Sequence, residues 1–182
     1  AGEVRQYLAG QRFSNGLRVS VGRGQVGGST RFEVLDRLVR GRSVLHVGFA
    51  DHLELIKQKR EQGRWLHDRL LRSCRQVAGV DINVEAVEFV RSLGISDVYA
   101  ADLLGEVPQV LRQNSWDLIL LGEVVEHLDN PVGFLSAIRA AWQSPETKLL
   151  VTVPNAFSVI NIRMAMQNIE YINTDHRFWF TP

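Results

Sequence analysis

Five short apolar runs recur along the chain: SVLHVG (43–48), QVAGVDI (76–82), DVYAAD (97–102), DLILLG (117–122) and KLLVTV (148–153). Between them lie segments with helical spacing: WLHDRLLRSC (65–74), VEAVEFVRSL (84–93), VPQVLRQ (107–113) and PVGFLSAIRAAW (131–142). Runs that are apolar on both faces suit a central parallel sheet, because helices cover it on each side. Strand and helix units in alternation therefore predict a doubly wound α/β, Rossmann-like sheet.

Helix boundaries agree with this reading. Asn83 is placed to cap the segment that follows Asp81-Ile82, and Asn130-Pro131 puts a cap residue before a proline at the first helical position. Upstream, Thr30 and Glu33 have the spacing of a capping box. The helix it opens carries Phe32, Leu35, Leu38 and Val39 on one apolar face, which leaves Arg31, Arg37 and Arg40 to water. The first 28 residues, with the string Gly22–Gly28, read as an N-terminal arm or lid; residues 29–182 form the principal domain. No Gly-Lys-Ser/Thr ending follows the glycines, so a phosphate loop is not supported.

At 182 residues and 20.6 kDa the chain suffices for one ordinary domain with a core. No run reaches the roughly 18 apolar residues of a membrane-spanning helix. The N-terminal stretch lacks a signal-peptide layout, so the expected location is cytoplasmic. The single cysteine, Cys74, excludes a disulfide framework and a cysteine-based zinc site. The net charge of +1 conceals a split. Residues 1–75 hold 15 Lys/Arg against 7 Asp/Glu, and residues 76–182 hold 6 against 13. The two blocks can pack within one fold, or the basic part can meet an anionic acceptor.

In an open parallel sheet, ligands bind beyond the carboxyl ends of the strands. The residues at those ends are Gly48-Phe49-Ala50-Asp51, Asp81-Ile82, Asp102-Leu103 and Gly122-Glu123. Four acidic strand ends suggest a polyhydroxylated or cationic ligand. The first end lacks the glycine-rich pyrophosphate fingerprint. Asp81 lies 33 residues beyond Gly48, where a carboxylate can accept ribose hydroxyl protons. The usual spacing is about 20, so His52–Arg64 reads as a polar insertion.

Taken in order, VLHVGFAD (44–51), AGVDIN (78–83), YAADLL (99–104) and DLILLGEVVEHLDNP (117–131) resemble successive motifs of the class I S-adenosylmethionine-dependent methyltransferases. The strand followed by GE-x-x-EHL-x-NP is similar to the small-molecule and cell-surface-sugar branch. LLVTVPNAFS (149–158) and DHRFWFTP (175–182) resemble its later segments. The resemblance implies strand order 3-2-1-4-5 and a sheet lacking the last two strands of the family, with KLLVTV as an edge available for a homodimer. It implies S-adenosylmethionine as cofactor. Gly48, Phe49, Ala50 and Asp51 would border its methionine part, Asp81 its ribose, Ile82 and Leu103 its adenine, and Asp102 the adenine amino group. Gly122 and Glu123 would line the pocket near the sulfonium. Phe49 and Ala50 replace glycines that most relatives carry there.

The implied reaction is O-methylation of a hydroxyl on a sugar or another small metabolite, an anionic one being a partner for the basic part, and nucleic acid is not the expected acceptor. An alcohol acceptor needs a general base; the expected catalytic residues are His127, Glu123, Glu126 and His176, with Asp175 a further candidate. On a helical turn Glu123, Glu126 and His127 would share a face at i, i+3 and i+4, orienting a histidine base. The leading expectation has no metal; the same run could instead hold a divalent ion. The alternative function is a non-catalytic binding or assembly module of the same fold. His46 reads as a satisfied core histidine, and the aromatics beside His176 as a pocket wall or core cluster.

Overall fold

Val44, Leu45, His46 and Val47 occupy a strand whose two neighbours lie far away in sequence, and that strand organises the rest of the chain. The computed structural model describes residues 2–18, 30–142 and 144–181, and the chain divides into two units, Ala1–Ser29 and Thr30–Thr181. In the first unit a short helix, α1 (Gly2–Leu8), precedes Arg12, whose guanidinium lies 4.9 Å from the centre of the Tyr7 ring. The expected glycine arm, Gly22–Gly28, lies outside the described residues.

The second unit holds β1 (Ser43–Val47), β2 (Gln76–Asp81), β3 (Val98–Ala100), β4 (Leu118–Gly122) and β5 (Lys148–Thr152). All pairings are parallel and the order is β3-β2-β1-β4-β5, as the resemblance implied. Val47 pairs with Val80 on one side and Leu121 on the other. That register brings Gly48, just past β1, side by side with Asp81 and Gly122, the last residues of β2 and β4, at the carboxyl edge of the sheet.

Around the sheet run α2 (Arg31–Val39), α3 (Leu53–Glu61), α4 (Leu66–Ser73), α5 (Val84–Ser92), α6 (Gln109–Gln113), α7 (Pro131–Ala141) and α8 (Val159–Ala165). Side chains alternate across a strand. Leu45 and Val47 therefore join Val80, Ile119, Leu121 and Phe134 on one face, while Val44 joins Leu35, Val39, Leu70 and Leu120 on the other. Each fully buried side chain of this size contributes about 1.5–3 kcal/mol relative to exposure.

The caps form as expected. Thr30 and Glu33 make both hydrogen bonds of a capping box; Asn83 accepts from the Ala86 N–H and Asn130 from the Gly133 N–H. Two expectations are refined. The stretch 52–64, read as a polar insertion, is largely a helix: Leu53–Glu61 is helical and buries Ile56 beside Phe49, Trp65 and Val87. One fully buried residue per two turns is too sparse a stripe for periodicity to reveal. Nor does α2 leave all its arginines in water, because Arg31 is half-buried and ion-paired with Glu123.

Candidate active site

The carboxyl ends of β1 to β4 assemble a shelf in which backbone and side chains are fixed by identifiable contacts. After β1 the chain turns at Gly48, whose φ of +65° belongs to the left-handed region. A Cβ there would lie 2.3 Å from Val124 Cγ2, so any other residue would have to displace that side chain. Phe49 and Ala50 follow without blocking the shelf. The Phe49 ring is buried over Gly79 and 4.8 Å from the His67 ring, and Gly79 leaves the room it needs. Asp51 is ion-paired with Lys59 of α3 and accepts from the His52 N–H.

Asp81 closes β2 and ties the shelf together. Its Oδ2 accepts from the Ala50 N–H at 3.0 Å and its Oδ1 from the Asn83 N–H at 2.9 Å. Burial pushes its carboxyl pKa up, and backbone N–H groups of Asn83, Ala50 and Ile82 partly oppose that shift. A carboxylate offers about four acceptor sites, so lone pairs remain on both oxygens. Beside it Ile82 is 76% exposed, an unpaid hydrophobic platform. Beyond β3, Asp102 Oδ1 accepts from the Leu104 N–H at 2.9 Å. Leu103 is buried in the core and Leu104 is the exposed member of the pair.

The turn after β4 departs most from expectation. Glu123 has a φ of +62°, a costly conformation for a non-glycine residue. Val125–His127 then form a 3-10 turn instead of an α-helical one. Glu123, Glu126 and His127 consequently do not share a face. Glu123 turns to Arg31 at the start of α2, Glu126 is fully buried, and His127 is exposed.

Glu126 and His127 instead meet His176 from the far end of the chain, and one ligating atom from each lies within 4.8 Å of the others. The backbone makes this juxtaposition. The Glu126 carbonyl accepts from the N–H groups of Arg177 and Phe178 at 2.8 and 3.3 Å, and Arg177 pairs with Asp129 at 2.9 Å. His127 Nδ1 lies 3.1 Å from the Asp175 carbonyl, and the His127 and His176 ring centres are 4.8 Å apart. Neither carboxylate oxygen of Glu126 has a hydrogen-bond partner, and burial pushes its pKa up. Trp179, near His176, lines an open pocket of about 470 Å³ with Tyr171, Ile169 and Asn161. The aromatic segment is thus divided: Phe178 and Trp179 are partly exposed, while Phe180 packs against the core.

Sequence reasoning did not find three of these partners. Arg31 was assigned to solvent. The Asp175 carbonyl has no side-chain signal at all. His67, buried in α4, faces His46 with the two Nδ1 atoms 3.2 Å apart. His46 is a core residue as expected, yet the Nε2 atoms of both rings are buried without partners. Burial holds both imidazoles neutral, with His67 lowered to about 3. Cys74 is half-buried and its thiol is pushed up to about 11, which removes it as a nucleophile.

The fold is shared with known structures. DhpI, in its DhpI-SAM-HEP complex, superposes with a TM-score of 0.51 at 17% identity, over 81% of this chain and 69% of that one. The plantazolicin methyltransferase BpumL, solved with a pentazolic desmethylPZN analog and SAH, gives 0.45 at 16% identity over 74% of this chain. An S-adenosylmethionine-dependent methyltransferase from Mesorhizobium loti gives 0.44 at 18% identity, over 68% of this chain and 52% of that one. The chain spans only 45% of the length of BpumL. No curated protein matches the sequence. The family model described as "Methyltransferase domain" matches residues 30–182, most of the chain and all five strands. The chain belongs to the methyltransferase-domain family.

Proposed function

We propose that the protein transfers a methyl group from S-adenosylmethionine to a hydroxyl of a sugar or another small metabolite. The observation that carries this reading is the Asp81 shelf, where a hydrogen-bonded carboxylate with spare lone pairs stands beside the exposed Ile82, within a chain of this family. The shelf fits the donor. Asp81 accepts from the ribose hydroxyls, Ile82 covers one face of the adenine, and Asp102 accepts from its amino group. Leu103 supports the turn from below, and the backbone of Gly48, Phe49, Ala50 and Asp51 borders the amino-acid part. Gly122 and Glu123 face the positive centre, where a carboxylate favours a cation. The DhpI structure of similar fold is a complex with SAM, which supports this donor.

When bound, S-adenosylmethionine supplies an electrophilic methyl carbon on a cationic sulfur. The residues of the chain contribute placement and exclusion of water, which matter most for an in-line displacement. The acceptor hydroxyl must also lose a proton as the new bond forms. Glu126, His127 and His176 are the groups for that task, while Glu123 stays with Arg31 and shapes the donor side.

Calorimetric titration with S-adenosylmethionine and S-adenosylhomocysteine tests the reading, with NAD as the control. One equivalent of either sulfur ligand is expected to bind and NAD is not. Hydrogen bonds to a charged group contribute about 1.5–3 kcal/mol, so Asp81→Ala should weaken donor binding at least ~10-fold. Absence of binding by both sulfur ligands would refute the enzyme reading.

A further inference from the structure

Beyond α8 the chain folds back and frames a pocket that the donor shelf does not use. Asn168 takes a φ of +58°, a left-handed conformation that asparagine tolerates better than most residues. Its N–H donates to the Ala165 carbonyl and that of Ile169 to the Met164 carbonyl, both at 3.0 Å, which ends the helix and sends Ile169, Glu170 and Tyr171 back toward it. From the other side, the Ala156 N–H donates to the Phe180 carbonyl at 2.8 Å and brings Trp179 to the same space. The pocket measures about 470 Å³, which falls in the range of roughly 300–1,000 Å³ usual for small-molecule sites.

The polar groups around it accept hydrogen bonds and carry no positive charge. Asn161 Nδ2 donates to the carbonyls of Asn155 and Ala156 at 3.3 and 3.2 Å. Carbonyls only accept, so the amide nitrogen is the atom turned to them and Asn161 Oδ1 is left as a free acceptor. Glu170 lines the pocket and makes no ion pair among the described residues. The rings of Tyr171 and Trp179 complete the wall, and aromatic faces attract cations. No lysine or arginine lines the pocket among the described residues. The excess of basic residues over 1–75 suggested an anionic acceptor, yet every residue lining this pocket belongs to the acidic part of the sequence.

We propose that the pocket bounded by Asn161, Glu170, Tyr171 and Trp179 binds an amino sugar and selects it by its ammonium group. Each part of such a ligand has a counterpart here. Its hydroxyls donate to Asn161 Oδ1, the C–H face of its ring lies on an aromatic face, and its ammonium answers Glu170 and the aromatic quadrupoles. A carboxylate or phosphate in the same place would meet a negative charge and find no cation. The Trp179 and His176 ring centres are 6.5 Å apart, so the pocket adjoins the groups assigned to deprotonation of the acceptor. That the bound amino sugar is also the methyl acceptor rests on the methyltransfer reading, whereas the choice of ligand by the pocket does not.

The test is calorimetric titration of the full chain with three probes of one ring size: glucosamine in its ammonium form, glucose and glucuronate. Glucosamine is expected to bind at least ~10-fold more tightly than glucose, as a hydrogen bond to a charged group requires, and glucuronate not measurably. Glu170→Gln should remove the preference for glucosamine while leaving glucose binding as it was. Trp179→Ala should weaken glucosamine binding about 3-fold or more. Thermal unfolding shows that both variants remain folded. Equal binding of glucosamine and glucose, tighter binding of glucuronate, no binding of glucosamine, or a preference that survives Glu170→Gln overturns the proposal. Glucosamine binding without S-adenosylmethionine binding would refute the methyltransfer reading and leave the pocket standing; donor binding with no preference for the amine would do the reverse.

Discussion

β1 and β5 read alike as sequences, SVLHV against KLLVT, yet the fold treats them oppositely. All five residues of β1 are buried, and none of β5 is. β1 has a strand on each side and packed side chains on both faces. Among the described residues β5 pairs with β4 alone, and Leu149 and Val151 are exposed. The same holds for α8, which buries no residue, against α5, which buries Ala86, Val87 and Val90. The difference teaches that an apolar run predicts membership of a sheet, whereas the position in the sheet order sets how much the run is buried.

The sharpest way to break this comparison is to shorten matching leucines. Leu45→Ala removes a fully buried side chain and should cost about 2–5 kcal/mol. Leu149→Ala, 45% exposed, should cost under ~1 kcal/mol. Urea denaturation reads both, and equal losses would mean that β5 is covered in solution. A smaller effect is expected where β1 meets the shelf. Gly48→Ala combines a left-handed φ with a 2.3 Å approach to Val124, and a loss of about 2 kcal/mol follows. Adding Val124→Ala should restore the steric part only. Complete recovery would show that the φ carries no strain.

The third effect concerns the imidazoles that β1 and α4 bury. His67 is lowered to about 3 in the fold from the ordinary value of 6.5, and His46 is lowered too. The unfolded chain therefore takes up protons that the folded chain refuses. The associated stability is fully present above pH 6.5 and declines as pH falls toward about 3. At one unit below 6.5 each such group costs about 1.4 kcal/mol. His67→Gln should flatten the fall in stability between pH 7.5 and 5.5, measured by denaturation at each pH. An unaltered slope would show that the pair is not the origin. The smallest effect belongs to β5: Leu149→Lys should change stability by less than ~0.5 kcal/mol. Sedimentation at increasing concentration would then show whether a free edge, as on β5, recruits a second copy.

Much of the architecture was legible in residue order. The five apolar runs became the five strands, and Thr30, Asn83 and Asn130 capped where their spacing indicated. These signals are local, because a strand or a cap depends on neighbours a few residues away. The helix over Leu53–Glu61 escaped notice because Ile56 alone anchors it among buried residues. Asp81 and Asp102 stood out as acids at strand ends, a position that topology makes common to ligand sites. Which member of Leu103-Leu104 turns inward was not legible, since both are equally apolar.

The turn after β4 shows the limit most clearly. Sequence spacing put Glu123, Glu126 and His127 on one helical face, and would have done so on any α-helix. A left-handed residue and a 3-10 turn separated them, and two backbone bonds from Arg177 and Phe178 to Glu126 brought in His176 instead. Composition and periodicity were enough to establish the class of fold, the strand runs and the acidic rim, because each arises from burial or capping over short separations. The pairing of Arg31 with Glu123, of His46 with His67, and of His176 with Glu126 arose only when distant segments packed together. Contacts between residues 21 to 92 positions apart leave no period in the chain, and their partners are chosen by register and turn geometry.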